Sequence, residues 1–304
     1  VNRRGRAWLA LPAFAAACQS APQPEPPAPP PGPVAQAPPE PAPVPFPQPT
    51  PPPAITYVGE ATQGGWIRGF LPRGTASATL DGEPVDFAYD RGFFAAFDRD
   101  AGAGARLVAT LADGREIVRD IAVSPRAWEI ERINTARIPG GATADFTRQR
   151  EPELARINAA RAMHSDSAGW RQDFIWPVKG RISGRFGSQR IYRGEPGAYH
   201  SGLDIATGGS GTPFVAPADG VVVLAAEQPF TLEGHLLIID HGNGLNSAFL
   251  HCSELEVKEG DVVKQGQFVG RIGMSGRATG PHLHWSLKWN AARLDPLLFA
   301  GPMP

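Results

Sequence analysis

Gly273-Met-Ser-Gly-Arg-Ala-Thr-Gly-Pro-His-Leu-His-Trp285 is the stretch on which the reading of this chain turns. Its glycines and proline break the backbone just before a short run of alternating character, so His282, Leu283 and His284 are expected in a strand. The pleat then puts both imidazoles on one face and Leu283 in the core. Two imidazoles roughly 7 Å apart along a strand can divide their labour, one binding a metal while the other reaches the metal-bound water. By itself an H-x-H pair says little, because exposed strands produce it by chance.

The sequence around this stretch has the same β character. Val221-Val222-Val223-Leu224, Leu236 to Ile239 and Phe268-Val269-Gly270-Arg271-Ile272 are apolar runs punctuated by glycine turns, so everything from Ile175 onward reads as β-rich. Further upstream, His200-Ser-Gly-Leu-Asp204 offers an imidazole and a carboxylate, both good zinc donors. Gly202 between them suggests a loop entering a strand, not a shared helical face. His235 and His241, at a strand start and in a His-Gly-Asn-Gly turn, read as structural.

In combination these motifs resemble the lysostaphin-type (LytM-type) zinc endopeptidases, a family of peptidoglycan hydrolases, over about residues 176–296. Trp176-Pro-Val-Lys-Gly-Arg-Ile-Ser-Gly-Arg-Phe-Gly187 looks like the first strand of that domain, and His200-Ser-Gly-Leu-Asp-Ile-Ala206 like its first metal motif. Pro217-Ala-Asp-Gly-Val-Val222, Ile239-Asp-His-Gly-Asn-Gly244 and Phe249-Leu-His251 follow in order. Gly260-Asp-Val-Val-Lys-Gln-Gly-Gln-Phe-Val-Gly270, running into Gly273 to Trp285, is the most specific match.

The resemblance implies an antiparallel β peptidase domain with an open groove over 171–304. It implies one zinc ion held by His200, Asp204 and His284, with a fourth position left for water. His251 and His282 then correspond to the two unligated histidines that bond the water, accept its proton and stabilise the oxyanion. The implied activity is hydrolysis of the peptide cross-links of bacterial peptidoglycan. The alternative is a non-catalytic relative that recruits or activates cell-wall amidases, with an amidase or a division protein as partner. One departure concerns Phe249, where the family often has a tyrosine whose hydroxyl is thought to help bind the oxyanion. Another is Cys252, in place of a usual leucine, which reads as a small buried hydrophobe.

The first half of the chain is organised differently. Arg3, Arg4 and Arg6 precede an apolar run from Ala7 to Ala17 that is too short to span a bilayer. Residues 1–17 are therefore expected to be a signal peptide. Ala15-Ala16-Ala17-Cys18 resembles the box cut by lipoprotein signal peptidase, which implies an exported protein anchored through lipidated Cys18 to a membrane facing the periplasm or cell wall. Gln19 points to the outer membrane where the host has one. Cys252 is the only other cysteine, so no internal disulfide is expected.

Proline recurs every second or third residue in 18–54, which reads as an extended polyproline II spacer. Residues 55–124 contain six β-like runs: Gly65 to Leu71, Ser77 to Leu80, Val85 to Tyr89, Phe93 to Phe97, Arg106 to Leu111 and Glu116 to Val123. Asp81-Gly82, Arg91-Gly92 and Asp113-Gly114 mark the hairpins between them, and the pattern suggests a small immunoglobulin-like sandwich. Residues 125–170 read as a helical connector whose helix begins near Pro152 and carries Leu154, Ile157, Ala160 and Met163, with a solvated His164 at its end. The fold class is thus mainly β, and a fragment starting near Trp170 is expected to fold and bind zinc by itself. With 29 basic and 30 acidic side chains, no charge excess points to nucleic acid.

Overall fold

The computed structural model describes residues 52–136 and 143–304, together with Pro27 and Gly32. The expected leader, Cys18 and nearly all of the proline-rich segment lie outside these described residues.

Alternation builds the first sheet. Along Gly104–Leu111 the inward residues Ala105, Leu107, Ala109 and Leu111 are buried while their neighbours reach solvent. This strand lies between Thr75–Leu80 and Glu116–Ala122, and Glu83–Pro84 completes that sheet. Asp81 and Gly82 both have positive φ, 52° and 88°, the geometry a two-residue hairpin demands. Thr56–Glu60, Trp66–Phe70 and Gly92–Ala96 form a second antiparallel sheet. Val85 to Tyr89, expected as a strand, makes only a single bridge from Phe87 to Phe93. The chain there is turned by Asp90, whose carboxylate accepts from the Gly92 N–H at 3.0 Å.

The remainder is dominated by one large antiparallel sheet. Its main path runs Val262–Val263, Gly220–Ala225, His235–Asp240, Leu245–Leu255, Leu283–Trp289, Leu203–Ala206, Arg181–Gly184. One face presents Leu203, Ile205, Ile239, Phe249, Leu283, Trp285 and Leu287 to the main core. By alternation the other face carries Asp204, Ala248, His284, Ser286 and Lys288. The core runs on without a break into the first two sheets: Trp66 lies 5.5 Å from Phe299 and 6.0 Å from Phe94, and Phe299 lies 5.3 Å from Phe174, centroid to centroid.

Residues 125–170 depart from the expected connector in two ways. Ile130–Ile133 is a strand, paired in parallel with Gln189–Tyr192. The helix spans Ala144–Arg161 and so begins eight residues before Pro152, which lies in its interior. Its start is set by Thr143, whose hydroxyl accepts from the Phe146 N–H at 3.1 Å. Around Pro152, Arg150 binds both Glu153 and Glu233, at 2.9 and 2.6 Å, and Glu153 accepts from Thr231 at 2.7 Å. Ile157 and Ala160 pack with Leu236, Ile238 and Ala248, so the helix lies on the sheet face that bears His284.

Candidate active site

Strand register assembles the centre. Leu203–Ala206 runs antiparallel to Leu283–Trp289 with Asp204 directly opposite His284. The Asp204 Oδ1 is 2.8 Å from His284 Nδ1 and 3.1 Å from His200 Nε2, and those two nitrogens are 3.1 Å apart. His200 reaches the pair from the preceding loop, where its Nδ1 donates to the Arg185 carbonyl at 3.1 Å; this leaves Nε2 to face the centre. Glycine makes the room. A Cβ on Gly202 would sit 2.6 Å from His284 Nε2, and one on Gly184 would collide with the Asp204 carboxylate.

Burial acts against the charge of Asp204, but hydrogen bonds from His200 and His284 outweigh it and hold the carboxyl well below the usual carboxylate range. Burial also pulls His200 down, yet Asp204 keeps it above the ordinary imidazole value. His284 is more deeply enclosed, and there burial wins and lowers it. Two imidazole nitrogens and a carboxylate oxygen converging on one point are a zinc-type donor set. Bonds of about 2.0–2.2 Å at tetrahedral angles would place such donors roughly 3.3 Å apart, close to the triangle seen here. The residues fit the ion that the sequence implies.

Two further histidines border this triangle. His251 lies 5.0 Å from His282 and 6.3 Å from His284, ring to ring. Its Nδ1 donates to the Ser275 carbonyl at 2.9 Å, and His282 Nδ1 donates to the Gly280 carbonyl at 2.8 Å. Both rings are thereby fixed in the tautomer that leaves Nε2 as an acceptor. Burial lowers His251, so it is neutral near pH 7. His251 has φ 65°, a left-handed conformation uncommon for a residue with a side chain. The Ser275 and Gly280 carbonyls escape a sequence reading because a backbone acceptor has no side-chain signature.

The structure thus brings together all five residues singled out in the sequence: His200, Asp204, His251, His282 and His284. Phe249 differs from expectation. Its ring is fully buried on the core side, 5.2 Å from Phe214, so a tyrosine hydroxyl at this position would enter the core and not the site. Cys252 is buried beside it, and burial pushes its thiol far up, so it stays protonated. His241 is fully buried: its Nδ1 donates to the Asp219 carbonyl at 2.8 Å and its Nε2 accepts from Ser247 at 2.7 Å. His164 is exposed, 3.4 Å from Asp86. His235 bonds the Ala226 carbonyl at 3.0 Å.

The profile of Peptidase family M23 matches residues 198–296. Over 115 residues the chain is 41% identical to the peptidoglycan DD-endopeptidase ShyA of Vibrio cholerae, covering 37% of this chain and 26% of that protein. Over 128 residues it is 36% identical to the DD-carboxypeptidase/endopeptidase Mpg of Neisseria meningitidis serogroup B, covering 41% and 28% respectively. The match therefore spans about a quarter of the length of these curated relatives. A crystal structure from Pseudomonas aeruginosa, assigned to peptidase M23, superposes with a TM-score of 0.61 at 29% identity, over 80% of this chain and 96% of that one. The converging side chains all fall within the matched stretch, and residues 198–296 form a Peptidase M23 domain.

Proposed function

We propose that this chain is a zinc endopeptidase that cuts the peptide cross-links of bacterial peptidoglycan, with 171–304 as its catalytic domain. The observation that carries the proposal is the arrangement of His251 and His282 beside the donor triangle, each with Nδ1 tied to a backbone carbonyl and Nε2 free. The relative named a peptidoglycan DD-endopeptidase supports the choice of substrate.

In this reading His200 Nε2, Asp204 Oδ1 and His284 Nδ1 hold the zinc. When bound, the ion supplies a Lewis acid that acidifies water and polarises the scissile carbonyl. His251, neutral and oriented, accepts the water's proton at Nε2 and returns it to the leaving amine. His282, whose Nε2 lies 3.6 Å from Asp204 Oδ1, stands at the rim of the triangle and, when protonated at Nε2, donates to the charge that develops on the carbonyl oxygen. A non-catalytic regulator would need none of these five groups together.

The deciding experiment combines elemental analysis of the purified protein with mass spectrometry of muropeptides released from purified walls. One equivalent of zinc is expected, with cleavage of cross-linked dimers that stops on chelation and resumes on zinc addition. Zinc-free protein that leaves the dimers intact would refute the proposal. We also propose export and anchoring through lipidated Cys18. Cys18→Ser should abolish membrane fractionation, and unchanged fractionation would count against the anchor.

A further inference from the structure

The sheet face that bears His284 carries a second constellation, away from the donor triangle. Asn246, Lys288 and Arg293 lie side by side on three adjacent strands, because Lys288 is in register with Asn246 on one side and Arg293 on the other. Directly opposed residues of an antiparallel pair point to the same face, with Cβ atoms about 5 Å apart. Lys288 follows His284 by four residues on the same strand face, which places this row roughly 13 Å from the donor triangle. Arg161, the last residue of the Ala144–Arg161 helix, joins the row from above, since Ile157 and Ala160 seat that helix on the same face.

We infer that Arg161, Asn246, Lys288 and Arg293 form a subsite for a carboxylate of the bound peptide. This rests on the peptidase reading above and extends it to how the substrate is positioned. Asn246 is 5% exposed and can offer its amide NH₂ to an anion, and Arg161 Nε is a donor buried without a partner. A buried donor of this kind destabilises the fold unless something binds it. Arg161 is held below its ordinary pKa by burial and then by the charge of Arg293; Lys288 is lowered by burial, then by Arg161 and Arg293.

The acids nearby do not neutralise the cluster. Asp98 accepts from the Arg293 backbone N–H at 2.9 Å, and Glu233 is engaged by Arg150. Among the described residues no carboxylate forms an ion pair with the side chains of Arg161, Lys288 or Arg293. Three cations set close together with no carboxylate ion-paired to their side chains, one of them with an unpartnered N–H, are what a carboxylate would complete. Peptidoglycan stem peptides carry free carboxylates at several positions, so the cluster would select which one lies about 13 Å from the bond being cut.

The test uses the full chain with synthetic cross-linked stem-peptide dimers, one with all carboxylates free and others with each carboxylate amidated in turn. Amidation at one position should raise KM at least tenfold with kcat nearly unchanged. Lys288→Gln and Arg161→Gln should raise KM for the free-acid dimer to a similar level and lose the discrimination, while Lys288→Arg should restore it. Zinc content and thermal midpoint of Lys288→Gln should not fall, because a cation is removed from among cations. Indifference to amidation at every position, an unchanged KM in Lys288→Gln, or a lowered midpoint would overturn the inference. Should the wild type cut no dimer, the peptidase reading fails separately. Calorimetric binding of the uncross-linked stem peptide, free against amidated, then decides the subsite: preference for the free acid upholds it and equal binding overturns it.

Discussion

Phe249 and Cys252 both point into the core although they stand three positions apart on one strand, with only Leu250 and His251 between them. Regular alternation forbids this, and the pairing shows how it is accommodated: His235 faces Cys252 while Leu237 faces Phe249, so two steps on one strand oppose three on the other. The extra residue falls at Leu250 and His251, and the positive φ of His251 re-aims its imidazole toward the donor triangle.

A strained position of this kind separates activity from stability. His251→Ala and His251→Gly should both lose about 10²- to 10⁴-fold in kcat, the usual worth of general acid–base help. The glycine variant should be the more stable by about 1 kcal/mol, since glycine adopts φ 65° without a Cβ clash. Urea midpoints of the two variants check this, and equal midpoints would remove the strain argument.

Ligand and proton-carrying histidines should part company on metal content. His284→Ala, His200→Ala and Asp204→Ala each leave two donors of the triangle, so zinc and activity should fall together. His282→Ala should keep its zinc and lose most turnover. Retention of zinc by His284→Ala with loss in His282→Ala would exchange the two assignments.

His241 predicts a pH dependence of stability. Its folded pKa is pushed down by burial to about 4 from an ordinary 6.5, so between these values the unfolded chain binds the extra proton. Stability is complete above pH 6.5, drains as the pH falls, and levels off below about 4, with a total loss of about 3 kcal/mol. Comparing urea unfolding at pH 7 and pH 4.5 for the wild type and His241→Gln isolates this share. The variant should be less stable at pH 7 and lose less on acidification.

The aromatic junction of Trp66, Phe94, Phe174 and Phe299 bears on the fragment beginning near Trp170. Cutting there strips Trp66 and Phe94 from Phe299 and also removes the hydrogen bond from Trp66 Nε1 to the Leu298 carbonyl. The fragment keeps every proposed metal ligand. It should nevertheless bind a hydrophobic dye and melt well below residues 52–304, and Trp66→Ala in the longer chain should cost about 3 kcal/mol. Equal melting of fragment and longer chain would show that the junction adds little.

What the sequence yielded followed from periodicity. His282, Leu283 and His284 alternate as the pleat requires, and Phe268–Ile272 is a strand over the span its apolar run suggested. What it withheld depends on neighbours remote in sequence. The role of Phe249 was misjudged because only pairing with His235–Asp240 shows where the bulge falls. The helix was started too late because Pro152 is a stronger local signal than the capping hydroxyl of Thr143. Arg161, Asn246, Lys288 and Arg293 have no motif in common, and only strand register and helix seating join them.

The seating of that helix also sets its dynamics. It buries only Ile157 and Ala160, and the chain is fastened on either side of it: by the Ile130–Ile133 ladder before, and after it by Ser165 bonded to Asp240 at 2.7 Å and Trp170 to the His241 carbonyl at 2.9 Å. It can therefore lift off the sheet without parting any strand, once the Arg150–Glu233 and Glu153–Thr231 contacts release. In amide-exchange terms, residues 144–161 should open as a unit of their own, long before the sheet beneath them. The spacing between this helix and the sheet face bearing His284 is then a matter of local equilibrium, adjustable while the triangle of His200, Asp204 and His284 stays as it is.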